Sequence, residues 1–419
     1  MGGILLKNIM SDGKICDILV KGKHIAGIMP AGTGIAGSDV ETVDCSGKAA
    51  LPGMVNAHTH AAMTLFRGVG EDVCFADWID RIWKVEEKID DEYIYWATRV
   101  ACLEMLKTGT TTFYDQYWRI PSAAKAVRDM GMRAVLSYVH LDHCDSSRFA
   151  MQKDECRRIF EDSADWPDTV SFSVAVHSVY SVSEEQILWA SDFAREHGLK
   201  LNIHLCETLK EVTDCRQCHG MSPVAYLDRL GVLGPDVIAA HTLWLDEDDI
   251  GILAERGVSC VHNINSNLKL ASGYRFLYNE LRDAGANVCL GTDGCASSNN
   301  LDMLEAMKTA ALVQKAWRND PAAMPLDELF AMASSHGAEA LGLDTGRIAE
   351  GSLADIIIVD TDSSFFLSAA PFMANFIYSA HSDCITSVIC DGKFVMRDRQ
   401  VPGEHEILTQ ARRVLDRIR

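Results

Sequence analysis

The chain has 419 residues, enough for a large barrel with a smaller appended domain, and 48% of them are hydrophobic, so a sizeable core can be buried. Its 59 acidic residues outnumber the 39 Lys and Arg residues, and the formal net charge of −20 argues against nucleic acid or an anionic membrane surface as a partner. No apolar run approaches the roughly 18 residues of a membrane span, and residues 1–7 lack a secretory pattern. We therefore expect a cytoplasmic protein whose 14 cysteines are free thiols.

The first 50 or so residues contain short strand-like pieces separated by glycine turns. We predict strands at residues 4–8, 17–21, 24–28 and 41–44. A segment of this length buries too little apolar surface to fold alone, so it must pack on something else.

From about residue 50 to about residue 345, short β-branched apolar runs alternate with helix-like segments. The predicted strands are 51–58, 110–115, 133–139, 170–177, 199–204, 237–241, 258–263 and 288–293. The helix-like segments between them include 91–107, 122–130, 183–196, 246–256 and 301–317. This alternation predicts right-handed βαβ units and a parallel sheet, and eight units predict an α/β fold with a (β/α)₈ TIM-like barrel at residues 54–349.

The C-terminal flank again reads as short strands. We predict strands at 355–360, 387–390 and 393–397, with Asp391 and Gly392 as a hairpin turn, and a final helix at 406–419. Neither flank can bury a core by itself. We therefore predict that residues 1–53 and 350–419 together form a small β-sandwich domain beside the barrel.

Ionisable side chains recur at or beside the ends of the predicted barrel strands. They are His58, Asp115, His177, His204, His241 and Asp293. In barrels of this kind the functional residues collect at the carboxyl ends of the strands. The pattern therefore favours one shared site at that end.

His58 and His60 are separated by one residue at the end of the first barrel strand. Positions i and i+2 of a strand share a face, so both imidazoles can aim at one metal ion. Taken alone, the pair fits ordinary surface or core histidines equally well. His204 is the third predicted ligand, with a buried core histidine as its alternative, and Asp293 is the fourth, because a carboxylate buried after an apolar run needs a cation or donors.

A single divalent ion is the predicted cofactor. Some barrels of this sort hold two metals bridged by a carbamylated lysine on the fourth strand, but residues 170–177 contain no lysine. Such an ion acidifies a water molecule to a pKa near 7 and makes it a nucleophile at neutral pH.

The water then needs groups that move its protons. Asp293 can accept one, and Glu207, three residues after His204, can protonate the atom being attacked. The alternative for Glu207 is a solvated carboxylate at a helix start. His241 could hydrogen-bond the nucleophile or the substrate, and His177 could donate to the substrate.

Five segments resemble the amidohydrolase superfamily, in particular its 5′-methylthioadenosine/S-adenosylhomocysteine deaminase branch. They are 51–63 (LPGMVNAHTHAAM), 107–113 (KTGTTTF), 266–273 (SNLKLASG), 291–294 (GTDG) and 351–356 (GSLADI). They span almost the whole chain in the expected order. The resemblance implies one zinc or iron ion, zinc being the first expectation, held by His58, His60, His204 and Asp293.

The resemblance also implies roles for residues outside the ligand set. It implies acid–base chemistry by Glu207 and His241. It implies substrate contacts from Glu86 to the ribose hydroxyls, from Arg148 near the ribose or its 5′ substituent, and from His177 to the purine side.

The predicted function is hydrolytic deamination of an adenine-type nucleoside, namely adenosine, 5′-deoxyadenosine, methylthioadenosine or S-adenosylhomocysteine. The expected partners are this small molecule and, because homo-oligomers are common among proteins in general, further copies of the chain. The family often has an arginine near the end of the third barrel strand, where residues 137–140 read SYVH, which weakens the case for a carboxylate-bearing 5′ substituent. The alternatives are a dechlorinase or deaminase of a triazine, pterin or guanine-like ring, and a non-catalytic scaffold.

Overall fold

The computed structural model describes residues 2–34 and 37–418. Five strands precede the barrel: β1 (Gly3–Ser11), β2 (Lys14–Lys21), β3 (His24–Pro30), β4 (Val40–Asp44) and β5 (Lys48–Pro52). The barrel strands are β6 (Met54–Thr59), β7 (Thr110–Tyr117), β8 (Arg133–His140), β9 (Val170–Ser178), β10 (Leu201–Leu205), β11 (Val237–His241), β12 (Ser259–His262) and β13 (Asn287–Leu290). Three strands follow it: β14 (Ile356–Asp360), β15 (Ile385–Cys390) and β16 (Lys393–Met396).

Helices connect the barrel strands and continue along the chain after β13. They are α1 (Phe75–Glu86), α2 (Asp91–Lys107), α3 (Ile120–Met130), α4 (Ser146–Asp162), α5 (Glu184–Glu196), α6 (Leu209–His219), α7 (Pro223–Arg229), α8 (Glu247–Arg256), α9 (Ile264–Lys269), α10 (Tyr278–Asp283), α11 (Cys295–Ser298), α12 (Met303–Arg318), α13 (Leu326–Met332), α14 (Ser335–Leu341), α15 (Phe372–Tyr378) and α16 (Glu404–Ile418). Among the helices of residues 2–34 and 37–418, none is both long and apolar enough to cross a membrane.

The eight barrel strands confirm the predicted TIM-like fold. Each strand from β6 to β13 pairs in parallel with the next one along the chain. The first and last strands also approach each other, because the backbone N–H of Asp293, just after β13, donates to the carbonyl of His58 at 3.0 Å. All eight strands therefore direct their carboxyl ends to one mouth.

The start of the first barrel strand differs from the prediction. The sequence predicts one strand over residues 51–58, but β5 ends at Pro52 in the small sheet and β6 begins at Met54 in the barrel. Gly53 separates them, and a Cβ on this residue would lie 2.2 Å from Oγ1 of Thr111. The chain passes from one sheet to the other at a point where only glycine fits against β7.

The small domain built from both chain ends is also confirmed. Its strands form one mixed sheet of eight in the order β16-β15-β14-β5-β1-β2-β3, with β4 paired to β1. The two ends of the chain meet where β14 runs antiparallel to β5, with Ile357 opposite Leu51. The core of this domain is largely aliphatic, with Leu6, Ile18 and Ile356 buried in one cluster. The exact division into residues 1–53 with 350–419 and residues 54–349 stays a prediction.

Candidate metal centre and active site

Four side chains from three strand ends converge at the mouth of the barrel. One potential ligand atom from each of His58, His60, His204 and Asp293 lies within 4.8 Å of the others. Nε2 of His60 is 3.1 Å from Oδ1 of Asp293 and 3.3 Å from Nε2 of His204. Nε2 of His58 is 3.6 Å from the same Oδ1. The structure thus brings together all four side chains that were predicted from the sequence to be ligands.

Each imidazole of this cluster is oriented by an oxygen on its far side. Nδ1 of His58 lies 3.2 Å from Oδ1 of Asn202, Nδ1 of His60 lies 2.6 Å from the carbonyl of Gln116, and Nδ1 of His204 lies 2.8 Å from the carbonyl of His177. Because these oxygens accept, Nδ1 carries the proton and each Nε2 presents a lone pair to the centre. Ligand histidines in metal proteins are oriented in this way.

The donor set fits a divalent cation. Nε2 of His58 is buried and has no hydrogen-bond partner among the described residues. Three nitrogen lone pairs and a carboxylate oxygen facing each other would repel without a positive charge between them. Imidazole and carboxylate together suit zinc and similar ions.

Asp293 is held in place on its other oxygen and on its backbone. Oδ2 accepts from Oγ of Ser266 at 2.6 Å and from Oγ of Ser297 at 2.8 Å. Its φ of 60° is left-handed, which is uncommon for a residue other than glycine and marks a position constrained by its surroundings.

Glu207 and His241 stand beside the cluster, facing the same space. Oε2 of Glu207 is 3.9 Å from Nε2 of His241, and Oε1 accepts from Oγ of Ser272 at 3.4 Å. Burial raises the pKa of Glu207, which favours a carboxyl group that holds a proton for donation. Nδ1 of His241 lies 2.8 Å from Oδ1 of Asn267, which orients its ring.

A cavity opens above these residues and carries two further predicted site residues. Glu86, at the end of α1, accepts a 2.7 Å hydrogen bond from the hydroxyl of Tyr117. Burial raises the pKa of Glu86 to about 7. His177, at the end of β9, has its Nδ1 2.7 Å from Oγ of Ser181. The remaining walls are largely apolar and include Met63, Phe75, Trp78, Ile79, Ile82, Trp83 and Leu270.

Arg148 does not reach this cavity. It lies near the start of α4 in an outer cleft that shares Trp83, Glu86 and Trp118 with the inner cavity. Its Nε is 3.8 Å from Oδ2 of Asp145, so its charge is already offset by a carboxylate. The predicted contact from Arg148 therefore concerns only a group that extends out of the inner cavity.

Sequence reasoning missed the residues that orient the site. Asn202 was predictable, because it lies two residues before His204 and so shares its face of β10. Tyr117, two residues after Asp115 on β7, offered the same signal. Asn267 and Ser266 lie on a short helix after β12, and no spacing rule links them to His241 or Asp293.

Comparison with known proteins gives consistent matches along the chain. Residues 49–395 match the model of the amidohydrolase family. A 5′-deoxyadenosine deaminase of Methanoregula boonei is 43% identical over 379 residues, which cover 88% of this chain and 84% of that protein. A 5-methylthioadenosine/S-adenosylhomocysteine deaminase of Thermococcus sibiricus is 40% identical over 383 residues, covering 91% of this chain and 89% of that protein. The crystal structure of an adenosine deaminase from Xanthomonas campestris with bound zinc superposes with a TM-score of 0.91 at 32% identity, over 99% of this chain and 98% of that one.

Proposed function

We propose that this chain, which belongs to the amidohydrolase family, is a metal-dependent hydrolytic deaminase of adenine-type nucleosides. The candidate substrates are adenosine, 5′-deoxyadenosine, methylthioadenosine and S-adenosylhomocysteine, and the products are ammonia and the inosine-type nucleoside. The observation that carries the proposal is the convergence of three imidazoles and one carboxylate beside the buried Glu207.

The proposed cofactor is one zinc ion per chain, with ferrous iron as the alternative, because both accept imidazole and carboxylate ligands. His58, His60, His204 and Asp293 would hold it. When bound, such an ion lowers the pKa of water towards 7 and so supplies a nucleophile at neutral pH.

The side chains around this centre supply the proton transfers. Oδ1 of Asp293 accepts a proton from the attacking water, while Oδ2 stays fixed by two serine hydroxyls. Glu207, whose pKa burial raises, donates a proton to the ring nitrogen next to the carbon being attacked. His241 hydrogen-bonds the incoming oxygen. Asp293 then passes the proton it accepted to the exocyclic amine, the C–N bond breaks and ammonia leaves, while Glu207 takes back a proton from the added hydroxyl as the C=O bond forms.

The remaining predicted residues would bind the nucleoside. Glu86, held by the Tyr117 hydroxyl, accepts from ribose hydroxyls, and His177 donates to the purine. Arg148 lies where a long 5′ substituent would emerge, but its pairing with Asp145 favours small uncharged substituents over a carboxylate-bearing one.

The test is a substrate panel with ammonia detection. The zinc-loaded protein is incubated with each of the four nucleosides, and with guanine, pterin and triazine compounds, alongside Glu207→Gln purified in the same way to expose contaminating activity. Ammonia release from at least one adenine nucleoside is expected. Absence of ammonia from all four, with metal bound, would contradict the proposal, and turnover of only the other rings would favour the alternative function.

The oligomeric state and the location of the protein stay predictions. A homo-oligomer is expected from the general frequency of such assemblies.

A further inference from the structure

Glu211 is a buried carboxylate with no part in the chemistry described so far. It lies in the first turn of α6, four residues after Glu207, and is only 4% exposed. Thr208 caps this helix by accepting from the backbone N–H of Glu211 at 3.1 Å. A Thr-x-x-Glu sequence at a helix start normally forms a capping box, in which the glutamate returns to the N–H of the threonine.

Here the glutamate reaches past the threonine. Oε1 of Glu211 accepts from the backbone N–H of Cys206 at 2.9 Å, and Oε2 accepts from the backbone N–H of Glu207, also at 2.9 Å. Both carboxylate oxygens are thus used on the turn that leads from β10 to the helix. Burial raises the pKa of Glu211 to about 7, whereas the hydrogen bonds from these two amides, together with the nearby His241, favour its ionised form.

The turn that Glu211 holds is a strained one. Cys206 has a φ of 53°, in the left-handed region that a residue with a Cβ rarely adopts. Its carbonyl accepts from the N–H groups of Leu243 and Trp244 at 3.1 and 3.0 Å, which ties the turn to the segment after β11. This conformation places the side chain of Glu207 beside His241 rather than out in solvent.

We infer that Glu211 is a positioning residue. Its carboxylate accepts hydrogen bonds from the two backbone amides of the 206–207 turn and so orients the side chain of Glu207 towards the reacting ring. The inference rests on the proposed function for the catalytic role of Glu207, whereas the geometry of the turn is independent of that function. A carboxylate is required because it accepts at both oxygens. An amide at this position would oppose one backbone N–H with its own NH₂ group.

The test compares Glu211→Gln with Thr208→Ala on the same helix. Thr208→Ala removes the helix cap but keeps the hydrogen bonds between Glu211 and the turn, so it should lower thermal stability while kcat stays at the wild-type value. Glu211→Gln should lower kcat by roughly tenfold or more with KM and metal content little changed, since an acid that is misplaced loses transition-state contact rather than binding. Equal kcat for wild type and Glu211→Gln would overturn the inference, as would kcat losses in the two variants that simply follow their losses of stability.

Two further measurements keep the inference separable from the proposed function. Glu211→Asp, whose shorter side chain reaches one amide at most, replaces Glu211→Gln if the latter does not fold, and it should also lower kcat. Crystal structures of the wild type and the variant test the turn directly: the Glu207 side chain should leave its place beside His241 in the variant. An unmoved Glu207 would overturn the inference. A wild type inactive on every nucleoside would contradict the proposed function, and the position of Glu207 in the two crystal structures would then decide the inference alone.

Discussion

The two ends of the barrel both bury charged side chains, but they treat them differently. At the amino end, Arg133 begins β8 and donates from Nε to Oδ2 of Asp355 at 3.1 Å and from Nη2 to Oδ1 of Asp391 at 3.0 Å. Asp355 also accepts from Oγ1 of Thr345 at 2.8 Å and from the N–H of Asp391 at 2.7 Å. These three charges are paired with one another, and the network joins the barrel to the small domain.

At the carboxyl end the polar atoms converge without satisfying one another. Within residues 2–34 and 37–418, the buried Nε2 of His58 has no hydrogen-bond partner, and the Nε2 atoms of His60 and His204 face each other at 3.3 Å. A structural network and a functional site can therefore be distinguished by whether their buried polar groups are paired. Buried charges that are fully paired contribute to assembly of the fold, whereas lone pairs that point at one another require a ligand.

Removal of a metal ligand at the mouth of the barrel should reduce turnover more than any other change described here. His204→Ala removes one nitrogen from the cluster, so the protein should bind less metal, and turnover should fall by about 10³-fold or more. Elemental analysis and ammonia release on the same samples check this. Full metal content with normal turnover would remove His204 from the centre.

The next largest effect should come from Glu207→Gln. The amide keeps the shape of the side chain but cannot donate the proton that the ring nitrogen needs, so kcat should fall by about 10²–10⁴-fold. Metal content should stay at the wild-type level, which separates this variant from His204→Ala. A rate close to wild type would show that another group is the acid.

At the opposite end, Arg133→Met should change stability rather than chemistry. It leaves Asp355 buried without its charged partner, which should cost about 3 kcal/mol of the free energy of unfolding. The matched control is Arg158→Met, whose ion pairs with Glu155 and Asp162 lie on the surface at 3.8 and 3.9 Å and should contribute little. Denaturant unfolding measures both. If Arg133→Met instead lowered kcat of the folded, metal-loaded protein, the contrast between the two ends would be wrong.

A weaker effect is expected on the pH dependence of substrate binding. Burial raises the pKa of Glu86 to about 7, so the group is ionised above that pH and protonated below it. The protonated form is the poorer acceptor for ribose hydroxyls, so KM should rise as the pH falls from about 8 to about 6, by up to about tenfold. In Glu86→Gln this rise should disappear; a rise that persists would assign the titration to another group.

Much of the fold could be predicted from the sequence, because strands and helices are indicated by patterns among neighbouring residues. Apolar strands alternating with helices predicted the barrel, and each ligand lies in the last residues of a strand or just after it, where the sequence located a strand end. Register within the site was also local for His58 and His60, since alternate residues of a strand share a face.

Most contacts that orient the site could not be predicted from the sequence, because they join residues that are distant along the chain. Ser266 and Asp293 meet only when α9 folds over the end of β13, and no periodicity encodes that approach. Glu211 shows a second limit: Thr208 and Glu211 match an ordinary helix-capping pattern, yet the carboxylate binds the turn before the cap. The division of residues 51–58 at Gly53 was missed for a similar reason, as the close approach to Thr111 is a tertiary contact.

Anomalous diffraction at the zinc absorption edge, from crystals of the zinc-loaded protein, locates the metal directly. We predict one strong peak per chain at the barrel mouth, about 2.0–2.2 Å from Nε2 of His58, His60 and His204 and from a carboxylate oxygen of Asp293. A zinc-loaded crystal with no peak among these four side chains, or with its peak elsewhere, would show that they do not form the metal centre.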